Sequence, residues 1–194
     1  MSTPQPRTLK TRARLIQAAR DVIAETGYSA LRTENVAQRA GVAKGTFFAH
    51  FKDKDALMDL LIGERIDGFL DQIEAAPAPR TIPELVEAMM PMMRFMSHER
   101  YVFDVILRYS GAAAKEEIGP IAMTFERFVT VMERWLVQGG FRNDVSPNLL
   151  AEGVQAFMFQ ALALRFCARN NTTPLDESLR PYLEVWLTAP QDVR

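Results

Sequence analysis

The chain has 194 residues and a formal net charge of −1, so it can form one or two domains with a hydrophobic core, while its total charge points to no particular partner. A single cysteine, Cys167, excludes an intrachain disulfide framework and a cysteine-rich zinc site. No apolar run reaches the length of a membrane span, and the N-terminal residues MSTPQPRTLK lack the apolar core of a signal peptide. We therefore expect a cytoplasmic protein that does not enter a membrane.

The charge is unevenly distributed along the chain. Residues 1–54 hold ten lysines and arginines against four acidic residues, a net charge of +6, whereas the remaining residues hold 13 against 20, a net charge of −7. A basic N-terminal module on an acidic body is typical of a local DNA-binding surface. The alternative is a solvated basic tail, since several of these residues lie between positions 7 and 14. Lys44, Lys52 and Lys54 lie outside that cluster and favour the DNA-binding interpretation.

A first helix is predicted from about Thr8 to Thr26, because apolar residues recur there at helical spacing. Gly27 is expected to end this helix, which is a common role for glycine. The apolar face of the helix is expected to be buried, and it consists of Leu15, Ala19, Val22 and Ile23.

Residues 33–51, TENVAQRAGVAKGTFFAHF, predict two short helices joined by a tight turn. Thr33 is expected to be the N-cap of the second helix, which ends near Ala40. Gly41 suits the positive φ that a sharp corner between helices often requires. The third helix covers about 44–50 and begins with small or cationic residues, which fit a DNA major groove without steric conflict. This pattern is typical of a helix-turn-helix unit.

Helices are predicted through almost all of the remaining chain. Asp53 is expected to cap a fourth helix that reaches about Glu74, and the proline-rich residues 76–83, APAPRTIP, interrupt the pattern. No stretch alternates as a strand would, so we predict an all-α fold of about nine helices. The further helices are predicted at about 83–97, 100–109, 113–138 with a possible kink at Gly119-Pro120, 148–170 and 175–188.

The segment 41–57, GVAKGTFFAHFKDKDAL, resembles the TetR family of bacterial transcriptional regulators. That family has a pattern close to G-V-[SA]-K-G-x-[LF]-Y-x-H-F-x-x-K-x-x-L across its recognition helix and the start of the next helix. The detailed match covers roughly the first third of the chain. The resemblance implies an N-terminal three-helix helix-turn-helix DNA-binding domain, residues 1–53, and a larger C-terminal helical domain for effector binding and dimerisation, residues 54–194. The matching residues are Gly41, Val42, Lys44, Gly45, His50, Phe51, Lys54 and Leu57.

The resemblance also implies a set of DNA-binding residues. Helix N-termini favour phosphate groups, so Thr33 and Lys54 resemble phosphate contacts, as does His50 at the end of the recognition helix. Phe48 and Ala49 depart from the family, which usually has Tyr at the first of these positions, and a phenylalanine ring cannot donate a hydrogen bond to a phosphate. Phe47 and Phe51 are assigned to the core. The predicted DNA-binding residues are Thr33, Lys44, Gly45, Thr46, Phe48, His50 and Lys54.

A homodimer is expected, because two copies on a two-fold axis double the DNA site, with half-sites about 34 Å apart or at a multiple of that distance. The predicted interface lies on the last two helices, where large apolar residues are mixed with small ones that permit close helix approach. The alternative is an ordinary monomer core. The predicted interface residues are Val154, Phe157, Met158, Ala161, Tyr182 and Trp186.

The segment 89–96, MMPMMRFM, places apolar residues all around the fifth helix, which predicts a buried helix. Methionine suits irregular cavities and varied ligands, and the family resemblance implies an effector pocket in this central region. Pro91 is expected to kink the helix and open a cavity. The alternative is plain core packing. The predicted ligand-binding residues are Met89, Met93, Met96, Phe103, Leu107, Phe125, Phe128 and Met132.

Taken with the resemblance, these patterns predict a repressor of transcription that binds a palindromic operator as a homodimer and is released by a small hydrophobic effector. The expected signal passes through the fourth helix, which joins the two domains. No catalytic residues, cofactor or metal site are predicted, because hydrolase, zinc-protease and phosphate-loop motifs are absent from the sequence. Two alternatives stay open: a DNA-binding protein without a ligand cavity, and a helical small-molecule-binding protein or enzyme that no longer binds DNA.

Overall fold

The computed structural model describes residues 6–111, 118–169 and 172–189. These residues form nine helices and no strand, which confirms the predicted all-α fold. No helix in this part of the chain is long and apolar enough to cross a membrane. The helices are α1 (Pro6–Ala30), α2 (Thr33–Arg39), α3 (Lys44–His50), α4 (Lys54–Ala75), α5 (Ile82–Met96), α6 (Arg100–Tyr109), α7 (Pro120–Gly139), α8 (Pro147–Arg165) and α9 (Leu175–Leu187).

The ends of the first four helices lie close to where the sequence predicts them, with one correction. Gly27 has a φ of 81° inside the α1 range, so the regular helix is interrupted where the sequence predicted its end. Asp53 caps α4 as predicted, because its carboxylate accepts the Ala56 N–H at 2.8 Å. The predicted N-cap role of Thr33 is wrong. Arg32, with extended backbone, occupies that position, and Thr33 is the first helical residue.

Two boundaries in the second half of the chain also differ from the prediction. The predicted kink at Gly119-Pro120 is instead the start of α7, because Gly119 is extended and Pro120 occupies the first helical turn, where its missing N–H costs nothing. The first predicted residues of that helix, 113–117, lie outside the described residues. Helix α8 ends at Arg165 rather than near position 170, because the chain tightens into a turn there, with the Phe166 N–H donating to the Ala163 carbonyl at 3.1 Å.

The helices pack as two groups. Helix α1 packs against α2, α4 and α6, and α2 packs against α3. In the second group α4 contacts α5, α6 and α7, while α8 lies between α7 and α9. Burial of apolar side chains along these contacts is the main stabilising term for such a helical fold. Helix α4 therefore touches both groups and lies at the centre of the molecule.

One face of α4 carries an acidic side chain at every fourth position, with Gly63 in the middle of the series. Residues four apart lie on the same helix face, and this face meets α6 and α7. Near its N-terminal end, Asp55 accepts the Tyr101 hydroxyl at 3.2 Å and pairs with Arg108, both on α6. We call this face the acidic seam, and its members are Asp55, Asp59, Asp67, Asp71 and, one turn further, Glu74.

The middle of the acidic seam brings α4 close to the start of α7. Asp59 is buried, and its carboxylate accepts the Ile121 N–H at 3.0 Å, which satisfies one of the free N–H groups at the α7 N-terminus. A β-carbon at Gly63 would lie 2.8 Å from the Pro120 β-carbon and 3.0 Å from its carbonyl carbon. The two helices therefore cross at a distance that only glycine permits at position 63.

The C-terminal end of the acidic seam is held by a single arginine. Arg127 of α7 donates to Asp67 at 3.0 Å, to Asp71 at 2.7 Å and to Glu74 at 2.6 Å. Hydrogen bonds to the carboxylates of Asp71 and Glu74 raise the pKa of Arg127 above its ordinary value. One guanidinium thus neutralises part of a three-carboxylate cluster and fixes α4 against α7.

The close crossing at Gly63 supports a prediction on stability. Gly63→Ala is expected to lower the free energy of unfolding by about 1–3 kcal/mol, because the added methyl forces α4 and α7 apart. Gly68→Ala, in the same helix but with open space within 4 Å, is the matched control. It is expected to raise stability by roughly 0.5–1 kcal/mol, since alanine favours helix. Urea unfolding measures the free energy of unfolding of both variants. Equal changes in the two variants would contradict the close approach of α4 and α7 at Gly63.

Candidate nucleic-acid interface and effector region

The turn between α2 and α3 is fixed from both sides. The Val42 N–H donates to the Ala37 carbonyl at 3.0 Å across the turn. Gly41 has a φ of 63°, which confirms the positive φ predicted for this corner. From outside the turn, Arg14 of α1 donates to the Ala40 carbonyl. The angle between α2 and α3 is therefore set by local backbone geometry and by α1 together.

Helix α1 also supports the far end of α3. The Arg12 guanidinium donates to the His50 carbonyl at 2.8 Å and lies 4.2 Å from the centre of the Phe51 ring. Phe47 and Phe51 are buried, as predicted, and their ring centres are 5.6 Å apart. The recognition helix is thus anchored by two aromatic side chains on its inner face, which leaves the opposite face free for a partner.

The outer face of α3 consists of the exposed residues Lys44, Gly45, Phe48 and Ala49. The Lys44 ammonium pairs with Glu34 of α2 at 2.5 Å, and both side chains are more than half exposed. This hydrogen bond from Lys44 is the largest cause that lowers the pKa of Glu34 to about 2. Glu34 therefore remains ionised at neutral pH and shields the one cationic group of this face.

The half-buried residues Thr46 and His50 point instead toward a groove between α3 and the start of α1. This groove has a volume of about 670 Å³ and gathers basic and hydroxyl side chains. Thr46 and His50 were predicted as DNA-binding residues, whereas their neighbours on α1 were not. The signal for those neighbours was present in the basic cluster at positions 7–14. The lining residues are Arg7, Thr8, Lys10, Thr11, Arg14, Gly41, Val42, Ala43, Thr46 and His50.

Two predicted phosphate contacts lie apart from this groove. The Lys54 ammonium lies 4.3 Å from the centre of the Tyr101 ring and donates to the Ser29 carbonyl at 3.3 Å. Burial, followed by the positive charge of Arg32, lowers the pKa of Lys54. The Thr33 hydroxyl bonds to Glu34 at 3.1 Å. Lys54 therefore lies at the junction between α1, α4 and α6, where it contacts protein groups on two sides.

The same junction contains a contact that the sequence did not reveal. Glu99, next to the start of α6, accepts the backbone N–H groups of Tyr28 and Ser29 at 2.8 Å and 2.9 Å. Partial burial opposes the charge of Glu99, but the hydrogen bonds outweigh it and hold its pKa below the ordinary value. A β-carbon at Gly27 would lie 2.9 Å from the Glu99 carboxylate. Glu99 thus clamps the end of α1 to α6, which gives the helix-turn-helix unit a second connection besides α4.

The predicted effector residues fall into two groups. Seven of them are buried in the core, and Met89, Met93 and Met96 line up on the inner side of α5. Leu107 differs, because it is 44% exposed on α6 and does not face that interior. The buried seven are therefore placed to surround a bound molecule only if the core rearranges. They are Met89, Met93, Met96, Phe103, Phe125, Phe128 and Met132.

An apolar cleft of about 110 Å³ lies next to this core, between α4, α5 and α7. Pro91, which was predicted to open a cavity, lies inside α5 and lines the cleft together with Met92 and Trp135. Drug-sized ligands usually occupy about 300–1,000 Å³. This cleft is too small for such a ligand, so binding of one at this position requires α4, α5 and α7 to separate. Its lining residues are Phe69, Gln72, Ile73, Ala76, Ala88, Pro91, Met92 and Trp135.

The predicted dimer-interface residues also fall into two groups, one buried and one half-buried. Val154, Met158 and Ala161 are buried within the single chain, so the prediction that they contact a second chain is corrected: this face of α8 is already covered inside the protomer. Phe157, Tyr182 and Trp186 are half-buried. Some of these residues are buried and others are not because α8 packs between α7 and α9. Both faces of α8 are apolar, so the sequence does not show which face is covered within the protomer.

The half-buried aromatic residues form one cluster between α8 and α9. The Phe157 and Tyr182 rings stack with centres 5.2 Å apart, and the Trp186 ring meets Phe157 edge-on at 5.9 Å. The Trp186 indole N–H donates to the Leu150 carbonyl at 3.0 Å. Its ring lies against Gly153, where a β-carbon would be 2.2 Å from the indole nitrogen. The orientation of α9 on α8 thus depends on a glycine.

Comparison with known proteins agrees with this geometry. Residues 15–61, from α1 into α4, match the family model described as bacterial regulatory proteins, tetR family. The chain is 26% identical over 200 residues to the HTH-type transcriptional repressor DhaR of Mycobacterium sp. (strain GP1), covering 94% of this chain and 95% of that protein. It is 25% identical over 140 residues to the fatty acid metabolism regulator protein of Bacillus subtilis (strain 168), covering 70% and 71%.

The fold of the whole chain also has a counterpart among solved structures. The TetR-family transcriptional repressor FadR of Thermus thermophilus, in complex with lauroyl-CoA, superposes with a TM-score of 0.66 at 17% identity, covering 94% of this chain and 98% of that one. The likeness extends from the helix-turn-helix unit through the helices that follow it. With a family match over the DNA-binding helices and relatives along its length, the chain belongs to the TetR family of bacterial transcriptional regulators.

Proposed function

We infer that the protein is a ligand-responsive regulator of transcription, a repressor that binds a palindromic operator as a homodimer. The observation that carries this function is the helix-turn-helix unit. Its recognition helix α3 is anchored on the inside by Phe47 and Phe51 and presents an exposed face beside a groove lined by basic residues of α1. A helix presented in this way fits the major groove, while the basic groove beside it suits the phosphate backbone.

Two domains follow from this assignment. We propose residues 1–53 as the DNA-binding domain and residues 54–194 as the effector-binding and dimerisation domain, with α4 as the link. The relatives are named as regulators rather than enzymes, and we propose that this chain likewise has no catalytic activity and acts in the cytoplasm. Phe157, Tyr182 and Trp186 on α8 and α9 are the proposed contacts with the second copy. Double-stranded DNA, the second protomer and an effector are thus the proposed partners.

The effector is proposed to be a small hydrophobic molecule. The buried methionines of α5 can change rotamer at low cost and so make room for an apolar chain. The solved repressor with lauroyl-CoA and the relative named for fatty acid metabolism make fatty acyl-CoA esters the first compounds to test. Because the apolar cleft between α4, α5 and α7 is only about 110 Å³, an acyl chain bound in that cleft has to move α5 or α7 relative to α4. That displacement is the proposed signal.

The acidic seam of α4 offers a route for this signal. Arg127, Asp59 and Gly63 tie α4 to α7, and Asp55 ties it to α6. A ligand that shifts α7 therefore shifts α4, and with it the helix-turn-helix unit. An effector acts only through its different affinity for the two arrangements, with coupling free energies of about 1–3 kcal/mol in typical allosteric proteins. Such a shift changes the distance between two recognition helices and breaks their register with the operator.

The test is selection of bound sequences from random duplex DNA with the purified protein. Recovery of an inverted repeat, bound with an affinity that falls steeply as salt concentration rises, is the expected result. Addition of lauroyl-CoA is then expected to release the selected DNA and to raise the melting temperature of the protein. Failure to recover any motif at low salt, with a folded dimer confirmed by sedimentation, would overturn the regulator assignment.

The basic groove supports a prediction on DNA affinity. Arg7→Ala is expected to weaken operator binding by roughly threefold to tenfold for all sequences and to reduce the salt dependence by about one counterion, since Arg7 lines the groove beside α3. Arg20→Ala is the matched control on the same helix, because Arg20 pairs with Glu64 at 2.7 Å and is outside the groove. Fluorescence anisotropy at several salt concentrations measures the operator affinity and its salt dependence for both variants. Identical salt dependence in the two variants would contradict a role of the groove in DNA binding.

A further inference from the structure

The recognition helix exposes an aromatic ring where a polar side chain would be expected. Phe48 is 47% exposed on the outer face of α3. Its ring packs edge-on against Phe47, with centres 5.3 Å apart and planes at 79°. The interior position beneath it is already filled by Phe47 and Phe51, which are buried. The space beneath Phe48 is therefore occupied, and its ring lies on the surface against Phe47.

The groups around Phe48 are poor in hydrogen-bonding capacity. Ala49 is exposed beside it, and Gly45, one turn earlier, has open space around its α-carbon. The remaining member of the outer face, Lys44, has its ammonium paired with Glu34 at 2.5 Å. The most exposed part of α3 thus offers a ring and a methyl group, while its single cationic group is already engaged.

We propose that this face recognises thymine through its 5-methyl group, with Phe48 as the specificity-determining residue and Ala49 as a second apolar contact. The proposal rests on the proposed function, since it assumes that α3 enters the major groove. In that groove the thymine methyl is the apolar group that the bases present, and alanine and phenylalanine side chains are suited to contact it. Guanine, by contrast, calls for a bidentate donor, which Phe48, Ala49 and Gly45 cannot supply.

The experiment uses the full-length protein and its selected operator. Each thymine of one half-site is replaced in turn by deoxyuracil, which removes the 5-methyl group and leaves the Watson–Crick edge unchanged. The parent protein is expected to lose roughly threefold to tenfold in affinity at one or two positions, the range of a modest base contact. The Phe48→Ala variant is expected to bind the thymine and uracil operators equally at those positions.

Two controls keep the result interpretable. Phe48→Tyr retains the ring, so it is expected to retain the uracil penalty. Circular dichroism and melting of Phe48→Ala check that the exposed substitution leaves the fold intact. If uracil has no effect on the parent while salt-dependent operator binding is retained, the thymine proposal is overturned and the regulator assignment stands. A penalty that persists unchanged in Phe48→Ala overturns the role of Phe48, and a parent protein that selects no operator overturns both.

Discussion

Glu99→Ala is expected to lower operator affinity by about tenfold and to reduce the response to the effector. The Glu99 carboxylate accepts two backbone N–H groups at the end of α1 and holds the helix-turn-helix unit against α6. Hydrogen bonds to a charged group contribute about 1.5–3 kcal/mol, of which part is offset by solvent at this half-buried site. Without the clamp the two recognition helices of a dimer lose their fixed separation. Anisotropy titrations with operator DNA, with and without lauroyl-CoA, measure both effects.

Asp104→Ala is the matched control for Glu99→Ala. It removes a carboxylate from α6, the helix that Glu99 precedes, but one that pairs with Arg100 at the surface, where ion pairs contribute little. Operator affinity of this variant is expected to equal that of the parent. If Glu99→Ala also binds DNA like the parent, the clamp at α6 has no part in positioning the helix-turn-helix unit, and α4 alone carries the connection.

The clamp is also expected to depend on pH in a defined direction. The folded-state pKa of Glu99 lies below its ordinary value of 4.5, so its contribution to stability is fully present above pH 4.5 and is lost as the pH falls through the lowered pKa. The difference in unfolding free energy between the parent and Glu99→Gln should therefore be constant from about pH 6 to 8 and should shrink below about pH 4. A difference that grows on acidification would contradict the hydrogen-bonded carboxylate.

Local patterns in the sequence were sufficient for most of the helices and for the corner between α2 and α3. Helical spacing of apolar residues located α3 at Lys44–His50 and α6 at Arg100–Tyr109, and Asp53 was identified as the cap of α4. These features depend on residues within one or two turns of each other. The positive φ of Gly41 was predictable for the same reason, because a sharp corner between two helices leaves few alternatives.

Contacts between distant parts of the chain were not predictable in this way. The Glu99 clamp joins residues about seventy positions apart, and no local pattern distinguishes a clamping glutamate from a solvated one. Lys54 matches a family position, yet its ammonium contacts Tyr101 and Ser29 because α6 lies across the start of α4. The burial of Val154 and exposure of Leu107 depend on which helix covers each apolar face, and a face that is apolar in sequence gives no sign of its partner.

The difference between local patterns and long-range contacts also explains which features of the effector region were predictable from the sequence. Composition indicated an adaptable interior, since α5 carries methionines on several sides. The volume available to a ligand depends on how closely α4, α5 and α7 approach. Gly63 and Arg127 set the distance between α4 and α7 through contacts across about sixty residues. The cleft beside the methionine-rich core has a volume of only about 110 Å³, so a larger ligand has to separate these helices in order to enter it. Opening the cleft costs free energy because contacts at the α4–α7 crossing are lost. Burial of the effector's apolar surface has to offset that cost.

Gly153→Ala is expected to have the largest effect on DNA binding, although position 153 is far from α3 in the sequence. A β-carbon there would lie 2.2 Å from the Trp186 indole nitrogen, so the ring has to move. Movement breaks the hydrogen bond to the Leu150 carbonyl and disturbs the edge-on contact with Phe157. These aromatic residues form the proposed dimer surface, and linked half-sites commonly gain 10²–10⁴ in avidity. We therefore expect operator affinity to fall roughly a hundredfold or more.

The expected cause is dissociation of the dimer, and the measurements have to separate it from unfolding. Sedimentation equilibrium gives the dimer dissociation constant, circular dichroism reports helix content, and binding to an isolated half-site reports the helix-turn-helix unit. Gly153→Ala should weaken the dimer while leaving the other two nearly unchanged, and Gly68→Ala, with open surroundings in α4, should alter none of them. If Gly153→Ala remains a dimer with parental operator affinity, the Trp186 cluster is not the interface. The exposed Leu149 and Val185 on the outer faces of α8 and α9 would then be the surface that a second copy covers.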